Sequence, residues 1–252
     1  MSKQGLSRED LELLCQYDTP TVCNAIEVFD VRPRNTGYMD RRIKACFPEM
    51  PPIAGYAATA TLRTAAPARQ GDVYAGLDQQ VKRFDEVPGP PIVVYQDLDE
   101  PPEAATFGDV MCSTYKAFGA AGLITSGTAR DLEQVRDMGF PAFSNGAICS
   151  HGYSHTVDLQ VPVYVGGITV FPGDLLHGDC NGVTTIPHEI AVDVAHSCAE
   201  FAAAEEVVLE YVRGGSVTPE GLAVARAECA RMIEVLSRRC GKSRVDFWLI
   251  RK

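Results

Sequence analysis

The sequence predicts an α/β domain in which helices come first, then βα units, then a β-rich block, then helices again. Three observations predict it. Apolar runs of strand length, PIVVYQDL and LITSG, alternate with helix-length stretches. From Val161 to Pro187 the pattern turns to short strands broken by Gly-Gly and Gly-Asp turns. From His188 it is helical to about Cys240, interrupted at GGSVTPEG.

Taken in order, Ser7 is placed to N-cap a helix to about Tyr17, with acidic residues behind it. Thr19-Pro20 opens a second helix, TVCNAIEVF, with Pro20 in its first turn. Residues 32–52 are loop-like. IAGYAATATLRTA alternates and is rich in Ala and Thr, which suits a strand. Residues 78–90 read as a polar helix ending at Pro88-Gly89, PIVVYQDL as a buried strand and DEPPEAA as an acidic proline loop. FGDVMCSTYKAFGAAG reads as a helix entered at Gly108-Asp109 and closed at Gly119 or Gly122. LITSG is a strand, DLEQVRDMG a helix with Gly139 at its C-cap, and FPAFSNG a short strand. VPVYVGGITVF is a hairpin turning at Gly166-Gly167, and PGDLLHGDCNGVTTIP adds two strands. The expected boundaries are a helical N-terminus over about 7–30, a core over about 52–187 and C-terminal helices over about 188–240, all in a single domain over 1–252.

Composition narrows the function. At 252 residues, with 46% hydrophobic and 22% charged residues, the chain can bury a core without disulfides or metals. A net charge of -10 argues against nucleic acid, whose phosphates select basic surfaces. The nine cysteines are odd in number, scattered and without a CxxC pair, which suits free thiols in a reducing compartment. The polar start MSKQGLSREDLELL lacks the apolar core of a signal peptide, and no run approaches ~20 apolar residues, so the expectation is a cytoplasmic protein with no membrane segment.

Two short stretches carry chemistry. Gly108-Asp109 stands at a helix start. Asp109 there either caps the helix or frames a site where the N–H groups of Val110 and Met111 hold a carboxylate. Arg130-Asp131 follows the apolar LITSG strand. Asp131 either caps the next helix, with Arg130 paired on the surface, or both face the sheet edge where ligands gather. Convergence of Asp109 and Asp131 would be costly without a cation between them, and a hard divalent ion with few protein ligands suits the place. Lys116, on a helix, lies away from the strand ends and is not needed as a Schiff base.

Asp109, twenty residues, then Arg130-Asp131 form a D-x(20)-R-D signature, and here the sequence resembles the RraA-like family. That family includes the class II 4-hydroxy-4-methyl-2-oxoglutarate / 4-carboxy-4-hydroxy-2-oxoadipate aldolases. TPTVCNAI, GYAATATLRTA, FPAFSNG and VPVYVGGITVFPGDLLHGDCNGVTTIP continue the resemblance, which spans about residues 10–210. It implies a swivelling β/β/α fold with helical extensions, assembled as a homotrimer or homohexamer. It implies a metal-dependent lyase that cleaves a C–C bond of a 2-oxo acid through a pyruvate enolate, by retro-aldol cleavage, oxaloacetate decarboxylation or both. In that reading Asp131 ligates Mg²⁺ or Mn²⁺, and Asp109 holds metal-bound water and helps supply a proton. Arg130 stabilises the enolate, and Val110 and Met111 bind the substrate carboxylate. Glu205 or Glu206 reaches the metal, through water, from a neighbouring subunit.

The sequence also departs from the family. Asn24 replaces the usual Asp. DEPPEAA stands where a Gly-rich run is usual, and CSHGYSH is unlike the usual Gly/Pro-rich segment; His151 and His155 within it are candidate specificity residues. Asp174, His177 and Asp179 read as structural. The rival readings are a non-catalytic RraA-like regulatory binding protein and a different lyase or hydrolase on the same scaffold. A methyltransferase is disfavoured by the lack of a GxGxxG loop after an early strand.

Overall fold

The computed structural model describes residues 5–69 and 75–249, so Met1–Gln4 of the polar start lie outside it. The described residues form two compact units. The first comprises those up to Thr19 and Asn35–His188; the second comprises Pro20–Arg34 and those from Glu189 onward. In the first, α1 (Arg8–Leu14) is capped as its sequence requires, with the Ser7 hydroxyl accepting from the Asp10 N–H at 3.0 Å.

The centre of the first unit is a sheet of eight strands: β1 (Lys44–Ala45), β2 (Ile53–Arg63), β3 (Pro91–Asp97), β5 (Gly122–Thr125), β7 (Ala142–Ser144), β8 (His155–Leu159), β11 (Leu175–Asp179) and β12 (Gly182–Ile186). Its order is β1-β7-β5-β3-β2-β11-β12, with β8 also pairing β2. β2, β3, β5 and β7 run parallel; β1, β8, β11 and β12 join antiparallel. IAGYAATATLR is the strand its pattern suits, and ten of the eleven β2 residues are buried. Both faces are covered, as parallel sheets generally require.

Side chains alternate across β3. Val93 and Tyr95 join one core with Cys112, Tyr115, Phe107, Ala129 and Val135, on the side of α4 (Asp109–Ala117) and α5 (Leu132–Asp137). Ile92 and Val94 join the other core with Val163, Val165 and Val170, from β9 (Val163–Val165) and β10 (Ile168–Val170). That pair is the expected hairpin, with Gly166 and Gly167 both at positive φ, as its two-residue turn needs. On the first face the Tyr95 and Tyr115 hydroxyls both donate to the Gln80 side-chain oxygen, at 2.7 and 2.5 Å. Gln80 belongs to α3 (Leu77–Lys82), so this buried knot fixes the far end of α4.

The structure corrects several boundaries. The helix expected over 78–90 is the short α3 followed by a 3₁₀ turn over Arg83–Glu86. Two unforeseen strands, β4 (Ala105–Phe107) and β6 (Thr128–Ala129), pair parallel in a small sheet of their own. Strands of two or three residues are too short to display a period. His155 begins β8, so the C-terminal part of the CSHGYSH segment is strand and not loop.

The second unit holds most of α2 (Thr19–Val28), together with α6 (Ala191–Arg213) and α7 (Pro219–Leu249). α7 runs past the expected end at Cys240. Within the unit, the Ser237 hydroxyl donates to the Val28 carbonyl at 3.1 Å, and Arg239 pairs with Glu200 at 2.5 Å. No described helix is long and apolar enough to cross a membrane.

His177 and Asp179 are structural, as the sequence suggested. His177 is fully buried on β11, with Nδ1 3.0 Å from the Thr19 hydroxyl and Nε2 3.1 Å from the Leu14 carbonyl. Asp179 accepts from the Thr19 N–H at 2.9 Å. Burial lowers the His177 pKa, against the raising effects of the Leu14 bond and of Asp179 and Asp18. A lowered folded value means that the unfolded chain takes up the proton first. His177's contribution is therefore complete above the unfolded value of about 6.5 and is lost as pH falls toward the folded one. Thermal melts between pH 8 and 5 should show Tm falling on the acid side, with a shallower fall in His177→Gln.

Candidate active site

β4 and β6 end side by side, and their exits carry the predicted residues. Gly108-Asp109 follows Phe107, Arg130-Asp131 follows Ala129, and the Arg130 N–H donates to the Phe107 carbonyl at 3.1 Å. The strand directly before Arg130 is thus β6 and not LITSG, which ends one turn earlier.

The local backbone places each acid. Asp131 occupies the N-cap position of α5 but has φ 54 and ψ 39, and its side chain makes no capping bond. Its carboxylate turns toward the other strand end. Oδ2 lies 3.3 Å from the Asp109 N–H and 3.4 Å from Arg130 Nε. A Cβ built on Gly108 would stand 2.4 Å from that oxygen and 3.0 Å from Arg130 Nε, so only glycine leaves room for the pair. Asp109 is the first residue of α4, after Gly108 at the N-cap, and its Oδ1 accepts from the Val110 N–H at 2.7 Å. The buried Cys112 thiol registers both acids. Burial pushes its pKa up, and the charges of Cys46, Asp109 and Asp131 push it further.

Arg130 and Asp131 are each about a third exposed (33% and 31%), so their ion pair is largely screened and adds little stability. Among the described residues the Arg130 guanidinium has no hydrogen-bond partner, which leaves its planar fork for an anion. The Asp131 carboxylate, in a cradle that a Cβ would fill and against the backbone of Asp109, fits a hard divalent ion that takes few protein ligands and keeps most of its waters. No group of three or more His, Cys, Asp or Glu side chains among the described residues could hold a metal, so this chain alone supplies at most Asp131 and Asp109.

The remaining candidates have contacts of their own. Met111, half-buried, follows Val110 in the first turn of α4. His151 Nδ1 bonds to the Gly152 carbonyl at 2.8 Å, and His155 Nδ1 to the Tyr153 carbonyl at 2.6 Å. Their segment packs at the foot of β4: the Ala105 N–H donates to the Ser150 carbonyl at 2.8 Å, and Gly152 lies against Ala104 and Thr64. In α6, Glu206 pairs with Arg213 at 2.5 Å, while Glu205 acts on Cys229 of α7, whose thiol burial raises most. Lys116 reaches the Met138 carbonyl, away from the strand ends.

Sequence reasoning missed Asp97. It ends β3, is buried, and its Oδ2 has no hydrogen-bond partner among the described residues. The available signal was an acid closing the apolar run PIVVYQD. A cavity of about 170 Å³ lies by the carboxyl ends of β3, β5 and β7, with Arg42, Gln96, Asp97, Ser126, Asn145 and Tyr164 in its lining. None of Gly108, Asp109, Arg130 or Asp131 lines it, and Arg42 there is already held by Asp40 at 2.7 Å.

An α/β core that presents an Asp and an Arg-Asp pair at adjoining strand exits is the class of protein defined here. The chain belongs to the RraA-like family (Aldolase/RraA), whose profile matches residues 19–185. A Halalkalibacterium halodurans protein named "Putative 4-hydroxy-4-methyl-2-oxoglutarate aldolase" is 33% identical over 124 residues, 48% of this chain and 58% of that one. The match thus spans little more than half of that relative's length. Among solved structures, an uncharacterized protein from Pseudomonas syringae pv. tomato aligns with a TM-score of 0.71 at 23% identity, covering 90% of this chain and 97% of its own. Streptomyces coelicolor RraAS2 aligns with a TM-score of 0.63 at 22% identity, covering 81% and 96%. These two show the shared fold.

The Gly108 cradle yields a test. Gly108 has φ -148 and ψ -166, which alanine adopts without strain, so Gly108→Ala adds only a methyl where the Asp131 carboxylate sits. If Asp131 holds a divalent ion, the expected result is a folded protein that melts within a few degrees of the wild type but whose affinity for Mn²⁺ falls by about tenfold, the scale of a lost ligand contact. Calorimetric titration checks it.

Proposed function

We propose that the protein is a divalent-metal-dependent lyase that cleaves a C–C bond of a 2-oxo acid through a pyruvate enolate. The observation that carries the reading is the turned Asp131. A residue that only started a helix would spend its carboxylate on the cap. Here it faces Arg130 and Asp109 instead, in a left-handed conformation that disfavours non-glycine residues. The aldolase name of the Halalkalibacterium relative supports the same reading.

Asp131 would hold Mg²⁺ or Mn²⁺, with Asp109 acting through water. When bound, the ion supplies Lewis-acid polarisation of the substrate's 2-oxo group. The chain's own groups do the rest. Arg130 offers a planar fork to the ketone oxygen and stabilises it as negative charge develops there. The N–H groups of Val110 and Met111 hold the substrate carboxylate. In the structure Asp109 takes the Val110 N–H, so substrate entry would swing that carboxylate aside and free it to handle a proton. In a 4-hydroxy-2-oxo acid the C3–C4 bond breaks and its electron pair becomes the enolate. The C4 hydroxyl loses its proton and becomes the carbonyl of the second product. The enolate takes a proton at C3 to give pyruvate. Decarboxylation of oxaloacetate passes through the same enolate, with CO₂ leaving in place of the carbonyl product.

A trimer or hexamer in which Glu205 or Glu206 of a neighbour completes the metal shell belongs to this proposal. If Glu206 serves, it must give up Arg213. Light scattering at assay concentration should report a trimer or hexamer, and an active monomer counts against the arrangement.

Kinetics with 2-oxo acids and Mg²⁺ or Mn²⁺, read as pyruvate release, tests the activity. Excess chelator should abolish it and either ion restore it; full turnover in chelator rejects the metal. Arg130→Lys keeps the charge but loses the fork, and the enolate it serves develops mainly in the transition state. Its kcat should fall on the order of 10²-fold with little change in KM. Asp131→Ala should lose activity in a way that high metal concentration partly restores. Normal turnover in both folded variants would reduce the Arg-Asp pair to a helix start and return the protein to the non-catalytic reading.

A further inference from the structure

We propose that Asp97 is a positioning residue for the cation at the Arg130–Asp131 site, a buried charge that raises the site's affinity for a divalent ion without ligating it. This rests on the metal reading above.

The placement comes from the sheet. Asp97 follows Tyr95 by two residues on β3, so its side chain lies on the face that carries α4, α5, β4 and β6. There it meets the roots of both strands that deliver the site. A Cβ built on Gly127, just before β6, would stand 2.7 Å from Asp97 Oδ2 and still closer to the Thr106 hydroxyl of β4. Thr106 is two residues from Gly108, and Gly127 is three from Arg130. The Asp97 N–H donates to the Ser126 hydroxyl at 2.9 Å, which fastens the same turn.

The group is held at a cost. Asp97 is 8% exposed, and Oδ2 has no partner among the described residues. Oδ1 accepts only the Asp99 N–H, at 3.0 Å. The charged groups facing it are Asp99 and Glu100 of its own loop, Arg63 of β2 and, in the cavity it lines, Arg42, which Asp40 holds at 2.7 Å. Both acids oppose its ionisation, and Arg63 is already paired with Asp99 at 3.3 Å. Burial, then the neighbouring acids, lift its pKa to about 6. A folded value above the unfolded one means stability present at low pH and lost as pH rises through about 6. At neutral pH the chain thus keeps a negative charge under the strand roots that Arg63, shared with Asp99, offsets only in part. A cation at the strand exits compensates it through a low-dielectric interior.

The experiment titrates Mn²⁺ into wild type and Asp97→Asn by calorimetry between pH 7.5 and 5, with thermal melts of the metal-free proteins alongside. The expected result at pH 7.5 is about tenfold weaker Mn²⁺ binding by Asp97→Asn, together with an equal or higher metal-free Tm. The wild-type affinity should approach that of the variant as pH falls through 6. A merely structural Asp97 predicts the reverse pattern: a lower Tm and unchanged affinity. Equal Mn²⁺ affinity in both proteins across the range overturns this inference alone. No Mn²⁺ binding by the wild type overturns the metal reading and the inference with it. Should Asp97→Asn fail to fold, Asp97→Ser, smaller and uncharged, takes the same test with the same outcomes.

Discussion

The Asp131 carboxylate can sit beside Asp109 and Arg130 only because residue 108 has no Cβ. With any side chain there, the 2.4 Å approach to Oδ2 would close and the carboxylate would be driven out. That missing atom depends in turn on β4 and β6 running parallel and ending together, with the Arg130 N–H bonded across to Phe107. Two antiparallel strands would have sent the two acids to opposite ends. The small sheet is therefore the device that brings residues 21 and 22 positions apart onto one spot, and the large sheet beneath supplies a rigid floor for it.

Little of the site's arrangement helps the fold. The Arg130–Asp131 pair is too exposed to contribute much, Asp131 holds a backbone conformation that costs about 1 kcal/mol in a non-glycine residue, and its helix goes without a side-chain cap. Asp97 adds a buried charge with an oxygen that bonds to nothing among the described residues. Each is a local loss that the apolar cores on both faces of the sheet can carry. These local losses gather within a few residues of two strand ends, where the proposed site lies. In the Tyr95–Tyr115–Gln80 knot at the far end of α4 both hydroxyls bond to the Gln80 oxygen, and only Gln80 Nε2 is left without a partner among the described residues.

Much of the fold was legible where a pattern had length to repeat. β2, β3 and the hairpin turning at Gly166-Gly167 were plain in the sequence, as were α4, α5 and the start of the C-terminal helices. What escaped was short. β4 and β6 have three and two residues, too few for a period. β2 was legible as a strand, and its small Ala and Thr residues let both of its faces be covered. At the site, the spacing of Asp109 and Arg130-Asp131 was readable, but whether Asp131 caps its helix depends on a backbone angle that no spacing encodes. Asp97 was passed over because an acid closing an apolar run looks like the start of a loop.

The two stretches that depart from the family pattern turn out to be a single structural feature. DEPPEAA ends at Ala105, whose N–H is held by Ser150 of the CSHGYSH segment, and Gly152 packs on Ala104 and Thr64. Asp99, at the start of the same acidic loop, accepts from the N–H groups of Thr64 and Ala65 and pairs with Arg63, which lies opposite His155 in the β2–β8 register. A change in one loop must therefore be accommodated by the other. Asp99 also donates its N–H to Asp97. The loops are thus continuous, through the Asp99 N–H, with the buried acid beneath the strand roots.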